Sequence, residues 1–90
     1  MYEWDEAKRA ANLRDHEVDF SDARHFDWET AVITIDDRED YGELREMAFG
    51  FIGVRLHAMV FTQRGGNIRI ISLRKANQME VNRYVDTTKR

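Results

Sequence analysis

Residues 45–74 read REMAFGFIGVRLHAMVFTQRGGNIRIISLR and carry the clearest structural signal in the chain. Side chains alternate between two faces in Arg45–Ile52 and again in Arg55–Thr62, a spacing that is typical of β-strands. Ile68–Arg74 has apolar residues on both faces, which predicts a strand that is covered on each side. The Gly65–Gly66 pair favours a tight hairpin turn between the last two strands. These residues therefore predict three sequential, mainly antiparallel strands.

A fourth strand is predicted just before this stretch. Ala31–Ile35 is rich in β-branched residues, which favour strands. The charged segment Asp36–Asp40 that follows predicts a solvent-exposed turn or, alternatively, a contact for a basic segment of a partner protein. Four sequential strands joined by short turns predict a four-stranded, mainly antiparallel sheet.

Helical spacing of apolar residues and candidate capping side chains predict three helices around this sheet. Two helices precede the sheet: Glu6–Asp15, with Asp5 as the N-cap, and Asp22–Asp27, with Ser21 as the N-cap. The third helix, Gln78–Asp86, follows the sheet and begins at a capping box formed by Asn77 and Glu80. The order of elements predicts an α+β fold with two N-terminal helices, the four-stranded sheet and a C-terminal helix. At 90 residues the chain is expected to be a single domain, residues 1–90.

The composition excludes several classes of function. The chain has no cysteine, and its three histidines (His16, His25 and His57) are scattered, so neither thiol chemistry nor a metal site is expected. No cofactor is expected either. No run of about 18 apolar residues and no basic-then-apolar N-terminus is present, which favours a cytoplasmic protein without a membrane span.

Charge is distributed unevenly along the chain, although the formal net charge is only −3. Residues 1–43 contain five Lys and Arg against fourteen Asp and Glu, whereas residues 44–90 contain nine against three. This asymmetry predicts two partner faces, one for a polyanion and one for a basic or neutral protein. The alternative is that folding mixes the two halves and leaves no charged patch.

The chain also resembles a known family over nearly its whole length, from Trp4 to Tyr84. Three groups of residues carry the resemblance: Trp4-Asp5, Lys8, Ala11-Asn12-Leu13, His16 and Val18-Asp19-Phe20; Gly42-Glu43 and Arg45; Ile68-Arg69-Ile70-Ile71-Ser72, Arg74-Lys75-Ala76, Glu80 and Tyr84. In their order and spacing they resemble the BrnT-type toxins. Two positions differ from that pattern, because Glu17 stands where the family usually has glycine and Leu73 where a small residue is common.

The resemblance implies a ribonuclease toxin of a type II toxin–antitoxin pair, with a fold similar to that of RelE-like and ParE-like toxins. It also implies a small BrnA-like antitoxin that neutralises the toxin, and operator DNA bound through that antitoxin. The resemblance also allows a heterotetramer of toxin and antitoxin as the assembly.

RNA cleavage without a metal requires few groups. The 2′-hydroxyl attacks the neighbouring phosphorus, so a base must accept its proton, an acid must protonate the leaving 5′-oxygen, and cations must stabilise the phosphoryl charge. Arginine suits the last role because its planar fork binds two phosphate oxygens. The candidate catalytic residues are Arg74, Arg45, His16 and Glu80.

Each candidate also has a structural alternative. Arg74 can be a surface arginine at a strand end, and the stem of Arg45 can cover apolar surface. His16 can simply cap the first helix, where a cation is favoured, and Glu80 can serve only the capping box. The candidate substrate-binding residues are Lys75, Arg83, Tyr84 and Arg69.

Two other functions compete with an endoribonuclease that inhibits translation. The first is a catalytically inactive protein that keeps the toxin fold and only binds its antitoxin and DNA. The second is a plain RNA-binding domain, which is disfavoured because no strand alternates aromatic and basic residues.

Overall fold

The computed structural model describes residues 1–89 and confirms the α+β class. Five strands, two α-helices and one 3₁₀-helix follow one another: β1 (Tyr2–Trp4), α1 (Glu6–His16), the 3₁₀-helix (Phe20–His25), β2 (Val32–Ile35), β3 (Glu46–Ile52), β4 (Arg55–Arg64), β5 (Asn67–Lys75) and α2 (Gln78–Thr88). Within residues 1–89, no helix has the length and apolar character needed to cross a membrane.

All five strands belong to one sheet with the order β1-β5-β4-β3-β2. The strands β2 to β5 pair with one another in antiparallel fashion, as the sequence predicts. The predicted hairpin is confirmed as well, because Gly65 and Gly66 both have positive φ and Arg64 pairs with Asn67 across the turn. The central strand is β4, and its neighbour β5 is interior because β1 covers its other edge.

The prediction of four strands was wrong by one. Tyr2–Trp4 forms β1, which pairs with β5 in parallel and makes the sheet mixed. The backbone N–H of Ile68 donates to the carbonyl of Met1 at 2.9 Å at the start of this pairing. Three residues are too few to show an alternating pattern, so only the tertiary pairing reveals the strand.

The second predicted N-terminal helix was also wrong in type and position. Phe20–His25 is a 3₁₀-helix, and its N-cap is Asp19 instead of Ser21. The carboxylate of Asp19 accepts a hydrogen bond from the backbone N–H of Ser21 at 3.0 Å. Phe20 and Ala23 are fully buried, so this turn is held by core packing and not by helical propensity.

The main core lies between one face of the sheet and the helices that precede β2. Phe20 and Phe26 from that region pack in one cluster with Met59, Phe61 and other sheet residues. Trp28 contacts Phe61 edge-on and donates a hydrogen bond from its indole N–H to the hydroxyl of Tyr2 at 2.6 Å. This face is therefore closed by apolar packing.

The side chain of Asn12 joins α1 to β5. Its amide nitrogen donates to the carbonyls of Leu73 at 2.7 Å and Val18 at 3.0 Å, and its oxygen accepts from the N–H of Leu73 at 3.1 Å. Because β1 pairs only with residues 68–70, no strand reaches the outer edge of β5 at Leu73. Asn12 thus takes the place of a strand partner there and fixes the backbone immediately before Arg74.

The opposite face of the sheet is only partly covered by α2. The capping box predicted at Asn77 and Glu80 is present, and α2 begins at Gln78 as expected. None of the residues of α2 is fully buried. Side chains of β2 and β3 on this face therefore remain open to solvent beside the helix.

Candidate functional site

A cleft of about 350 Å³ opens on the face of the sheet that carries α2. Its lining includes side chains from β2 and β3 that share this face: Val32, Thr34, Met47 and Phe49. The cleft is also lined by α2, by the segment 35–38 after β2, and by Arg74 near the end of β5. It thus combines an apolar floor with charged groups around it.

Arg74 forms a bidentate ion pair with Glu80 in this cleft. Its Nη1 and Nη2 donate to the two carboxylate oxygens of Glu80, each at 2.8 Å. The side chains are 28% and 16% exposed, so both are reached from the cleft but shielded from bulk water. The hydrogen bonds from Arg74 hold the pKa of Glu80 below its ordinary range, and Glu80 in turn raises the pKa of Arg74.

Glu80 has a structural task at the same time. Its Oε1 accepts from the backbone N–H of Asn77 at 2.9 Å, while the side chain of Asn77 accepts from the N–H of Glu80 at 2.8 Å. One carboxylate therefore starts α2 and holds the guanidinium of Arg74. The structural alternative considered for Glu80 is present, and it coexists with a position in the cleft.

Two further predicted residues, Arg83 and Tyr84, lie in the same cleft. The Tyr84 ring packs edge-on against Phe51 with the centroids 5.5 Å apart, and its hydroxyl donates to the carbonyl of Thr30 at 2.7 Å. Tyr84 thus anchors α2 to the sheet. Arg83 is exposed and forms no ion pair with any of residues 1–89, so its guanidinium can bind an anion.

The other four predicted site residues lie outside the cleft. Arg45 stacks on the ring of Tyr41, with its Cζ 3.9 Å from the centroid, and pairs with Glu43 at 3.3 Å. His16 is the exposed last residue of α1, which packs on the opposite face. Arg69 pairs with Glu3 on β1 at 3.6 Å. Lys75 follows Arg74 in β5 and therefore points to the opposite face of the sheet.

An additional arginine lines the cleft, and sequence reasoning did not single it out. Arg38 donates from Nε and Nη2 to the two oxygens of Asp36 at 2.7 and 2.8 Å. The side chain of Asp36 is only 1% exposed, whereas that of Arg38 is 61% exposed. The sequence predicts a charged, solvent-exposed turn at Asp36–Asp40. This prediction is wrong for Asp36, because its carboxylate is buried.

Charges around the cleft are balanced in number. Three arginines face three carboxylates, and two of these arginines are already paired: Arg38 with Asp36 and Arg74 with Glu80. A phosphate must therefore compete with Glu80 for Arg74. The predicted charge asymmetry along the chain does not make this cleft a purely basic patch, because the acidic first half supplies part of its lining.

The described residues provide guanidinium groups and two shielded carboxylates, Asp36 and Glu80, but no metal-binding cluster. Among residues 1–89 no group of three or more His, Asp or Glu side chains is placed to hold a metal ion. Arginine forks bind phosphate oxygens in the same bidentate way in which Arg74 binds Glu80. The apolar floor beside them offers a surface against which an apolar or aromatic group of a ligand can pack.

The chain is thus a small α+β protein with an open cleft that arginine and carboxylate side chains line. Residues 4–80 match the family described as "Ribonuclease toxin, BrnT, of type II toxin-antitoxin system", and the chain belongs to this family. A search of curated proteins gave no match to this chain. The resemblance predicted from the sequence is thereby confirmed at the level of the family.

Proposed function

We propose that this chain is an endoribonuclease that cleaves single-stranded RNA in the cleft by metal-independent transesterification and so inhibits translation. The observation that carries the proposal is the placement of Arg74 and Arg83 beside the carboxylate of Glu80 in one open cleft. The scissile phosphate would take the fork of Arg74, which stabilises the negative charge that develops on the phosphoryl oxygens. Arg83 supplies a second cation.

In this proposal, Glu80 accepts the proton of the attacking 2′-hydroxyl. While Arg74 holds it, Glu80 is a weak base, because that hydrogen bond lowers its pKa. A phosphate that displaces the carboxylate removes the main cause of the low pKa, so the basicity of Glu80 rises when the substrate binds. The 2′-oxygen then forms a bond to phosphorus, the bond to the 5′-oxygen breaks, and water protonates the leaving oxygen.

The experiment is to incubate the purified full chain with mixed-sequence single-stranded RNA in EDTA, and in parallel with a cell-free translation extract. The expected products carry a 2′,3′-cyclic phosphate and a 5′-hydroxyl, which mass spectrometry distinguishes from other ends. Arg14→Gln is the matched control for Arg74→Gln, because Arg14 is exposed on α1 and among residues 1–89 pairs only with its neighbour Asp15. Intact RNA in both settings, or products with 5′-phosphates, would contradict the proposal.

We further propose a BrnA-like antitoxin as the protein partner, with operator DNA bound through it and a heterotetramer as the assembly, in the cytoplasm. The family description supports a type II antitoxin. The exposed apolar side chains of Ile33 and Ile35 on edge strand β2 offer surface for such a protein. Co-expression with the protein of the neighbouring reading frame should yield a complex of defined mass by light scattering.

The second candidate is a catalytically inactive toxin-fold protein that only binds its antitoxin. The pairing of Arg74 with Glu80 supports this alternative, since both groups are occupied when no ligand is bound. Expression without the antitoxin separates the two. An active toxin arrests growth and the arrest is relieved by Arg74→Gln, whereas an inactive protein leaves growth unchanged.

A further inference from the structure

We propose that Arg38 is a second phosphate-binding residue of the cleft and that the buried carboxylate of Asp36 holds it in position. The ligand would be a phosphate of the RNA strand whose scissile phosphate lies at Arg74. The identity of the ligand as RNA rests on the proposed function, but the anion site itself rests on the geometry around Arg38.

Arg38 is held along one edge of its guanidinium group by Asp36. Asp36 binds Nε and Nη2, which orients the guanidinium plane, and the backbone N–H of Arg38 lies 3.4 Å from the same carboxylate. Within residues 1–89, Nη1 has no hydrogen-bond partner. An arginine fixed along one edge and open along the other is preorganised to bind an anion.

Asp36 is buried, which an ordinary surface turn does not require. Burying a carboxylate costs free energy unless hydrogen bonds compensate for it. Hydrogen bonds from Arg38 hold the pKa of Asp36 below its ordinary range despite this burial. Asp36 is therefore a charged support beneath Arg38, whose own side chain stays 61% exposed in the cleft.

Asp36 also has contacts with Tyr41 and Arg45. The hydroxyl of Tyr41 lies 3.4 Å from its carboxylate, and Arg45 stacks on the Tyr41 ring. The backbone N–H of Asp36 also donates to the carbonyl of Arg45 at 2.8 Å. In this arrangement Arg45 is a positioning residue, since it acts on the cleft through Tyr41 and Asp36.

Arg38 and Arg74 line the same cleft, so one ligand can contact both. Each already has a carboxylate partner: Asp36, two positions earlier in the chain, for Arg38, and Glu80 on α2 for Arg74. The positive charge of Arg38 opposes the rise in the pKa of Arg74 that Glu80 causes, so the two cations repel each other. Phosphate groups bound between them relieve this repulsion, which favours a ligand with more than one anionic group.

The test measures binding of a mixed-sequence 2′-O-methyl RNA 12-mer, which cannot be cleaved, by fluorescence anisotropy over a range of salt concentrations. Arg38→Gln should weaken binding about tenfold and reduce the slope of log Kd against log salt by about 0.7, the value for one lost phosphate contact on a single strand. Arg14→Gln, which makes the same charge change on α1, should leave both quantities unchanged. Equal losses in Arg38→Gln and Arg14→Gln, or no loss in either, would overturn the proposal.

Asp36→Asn tests the positioning role. It should weaken RNA binding as well, and the Asp36→Asn/Arg38→Gln double variant should lose no more than Arg38→Gln alone, because Asp36 acts only through Arg38. Additive losses in the double variant would show that Asp36 affects RNA binding independently of Arg38, and would overturn the positioning role of Asp36. If the unmodified chain binds the 12-mer in an Arg38-dependent way but never cleaves RNA, the anion site stands and the ribonuclease proposal fails.

Discussion

Glu80→Gln separates the stabilising role of Glu80 from its effect on ligand binding. Glutamine has nearly the same shape and can still accept from the backbone N–H of Asn77, so the capping box and α2 should persist. What is lost is the charge that faces Arg74. For a partly exposed bidentate pair, we expect the free energy of unfolding to fall by about 1 kcal/mol at pH 7.

The pH dependence of this stability difference follows from the lowered pKa of Glu80. A carboxyl group whose pKa is lower in the folded state stabilises the fold above its unfolded pKa, and the contribution disappears as the pH falls through the folded value. The two proteins should therefore differ fully above about pH 5 and become equal in strong acid. Urea unfolding followed by circular dichroism at pH 7 and pH 3 measures this difference.

Affinity for RNA should change in the opposite direction. In the parent protein a phosphate approaches Arg74 against the negative charge of Glu80, and two unit charges about 4 Å apart interact by about 1 kcal/mol in water and about 4 kcal/mol near a protein surface. The cleft is open, so we take the lower end, about 1 kcal/mol, and expect Glu80→Gln to bind the 2′-O-methyl 12-mer about fivefold more tightly. Its cleavage of ordinary RNA should nevertheless slow, because the proposed base is gone.

The matched control is the double variant Arg74→Gln/Glu80→Gln, which removes both charges and should lose the gain in affinity. An unchanged or weaker affinity in Glu80→Gln, with the fold intact, would refute competition between Glu80 and phosphate. Equal gains in the single and double variants would show that the gain does not depend on Arg74.

Three further predictions concern stability and are measured by urea unfolding. Gly50→Ala should lower the free energy of unfolding by about 1–3 kcal/mol, because a Cβ there would lie 2.5 Å from Cζ of Phe26; an unchanged midpoint would show that the ring moves freely. Glu17→Gly should raise the free energy of unfolding by about 0.5–1 kcal/mol, because Glu17 is the C-cap of α1 and has a left-handed backbone with φ of 59°. A lower free energy of unfolding in Glu17→Gly would contradict this prediction. Asn12→Leu should lower the free energy of unfolding by about 2–3 kcal/mol, because the N–H and carbonyl of Leu73 lose their partner; a change below about 0.5 kcal/mol would mean that water replaces Asn12.

The sequence predicted most of the fold because its signals are local. Strand alternation, the Gly65–Gly66 turn and the capping box at Asn77 depend on neighbouring residues, and the structure confirms them. The strand at Tyr2–Trp4 depends instead on pairing with residues 68–70, far away in the chain. The 3₁₀-helix at Phe20–His25 depends on burial of Phe20, which no local pattern reveals.

The candidate site was predicted in part for a similar reason. Arg74 and Glu80 are near one another in sequence and flank the start of α2, so their meeting in the cleft follows from local geometry. Arg38 comes from a segment that reads as a solvated turn, and only the sheet brings it to the same cleft. The sequence does show that Asp36 follows a strand and stands two positions before Arg38, which is a signal for an ion pair. That signal does not show that Asp36 is buried.

Glu17 has a backbone conformation that glycine adopts more easily than other residues. Among residues 1–89 Glu17 is the single residue other than glycine with a positive φ, at the position where the resemblance drawn from the sequence led us to expect glycine. Its backbone N–H donates to the carbonyl of Leu13 at 2.9 Å and closes the last turn of α1. The fold therefore keeps the helix end that glycine favours and tolerates the conformational cost of the substitution.

The most direct test of a phosphate clamp at Arg74 is the single-turnover rate of RNA cleavage by Arg74→Gln relative to Arg14→Gln, in EDTA and at equal concentrations of folded protein. We expect Arg74→Gln to be slower by at least about 100-fold, the usual loss when one group that stabilises transition-state charge is removed. Equal rates in the two variants would contradict it.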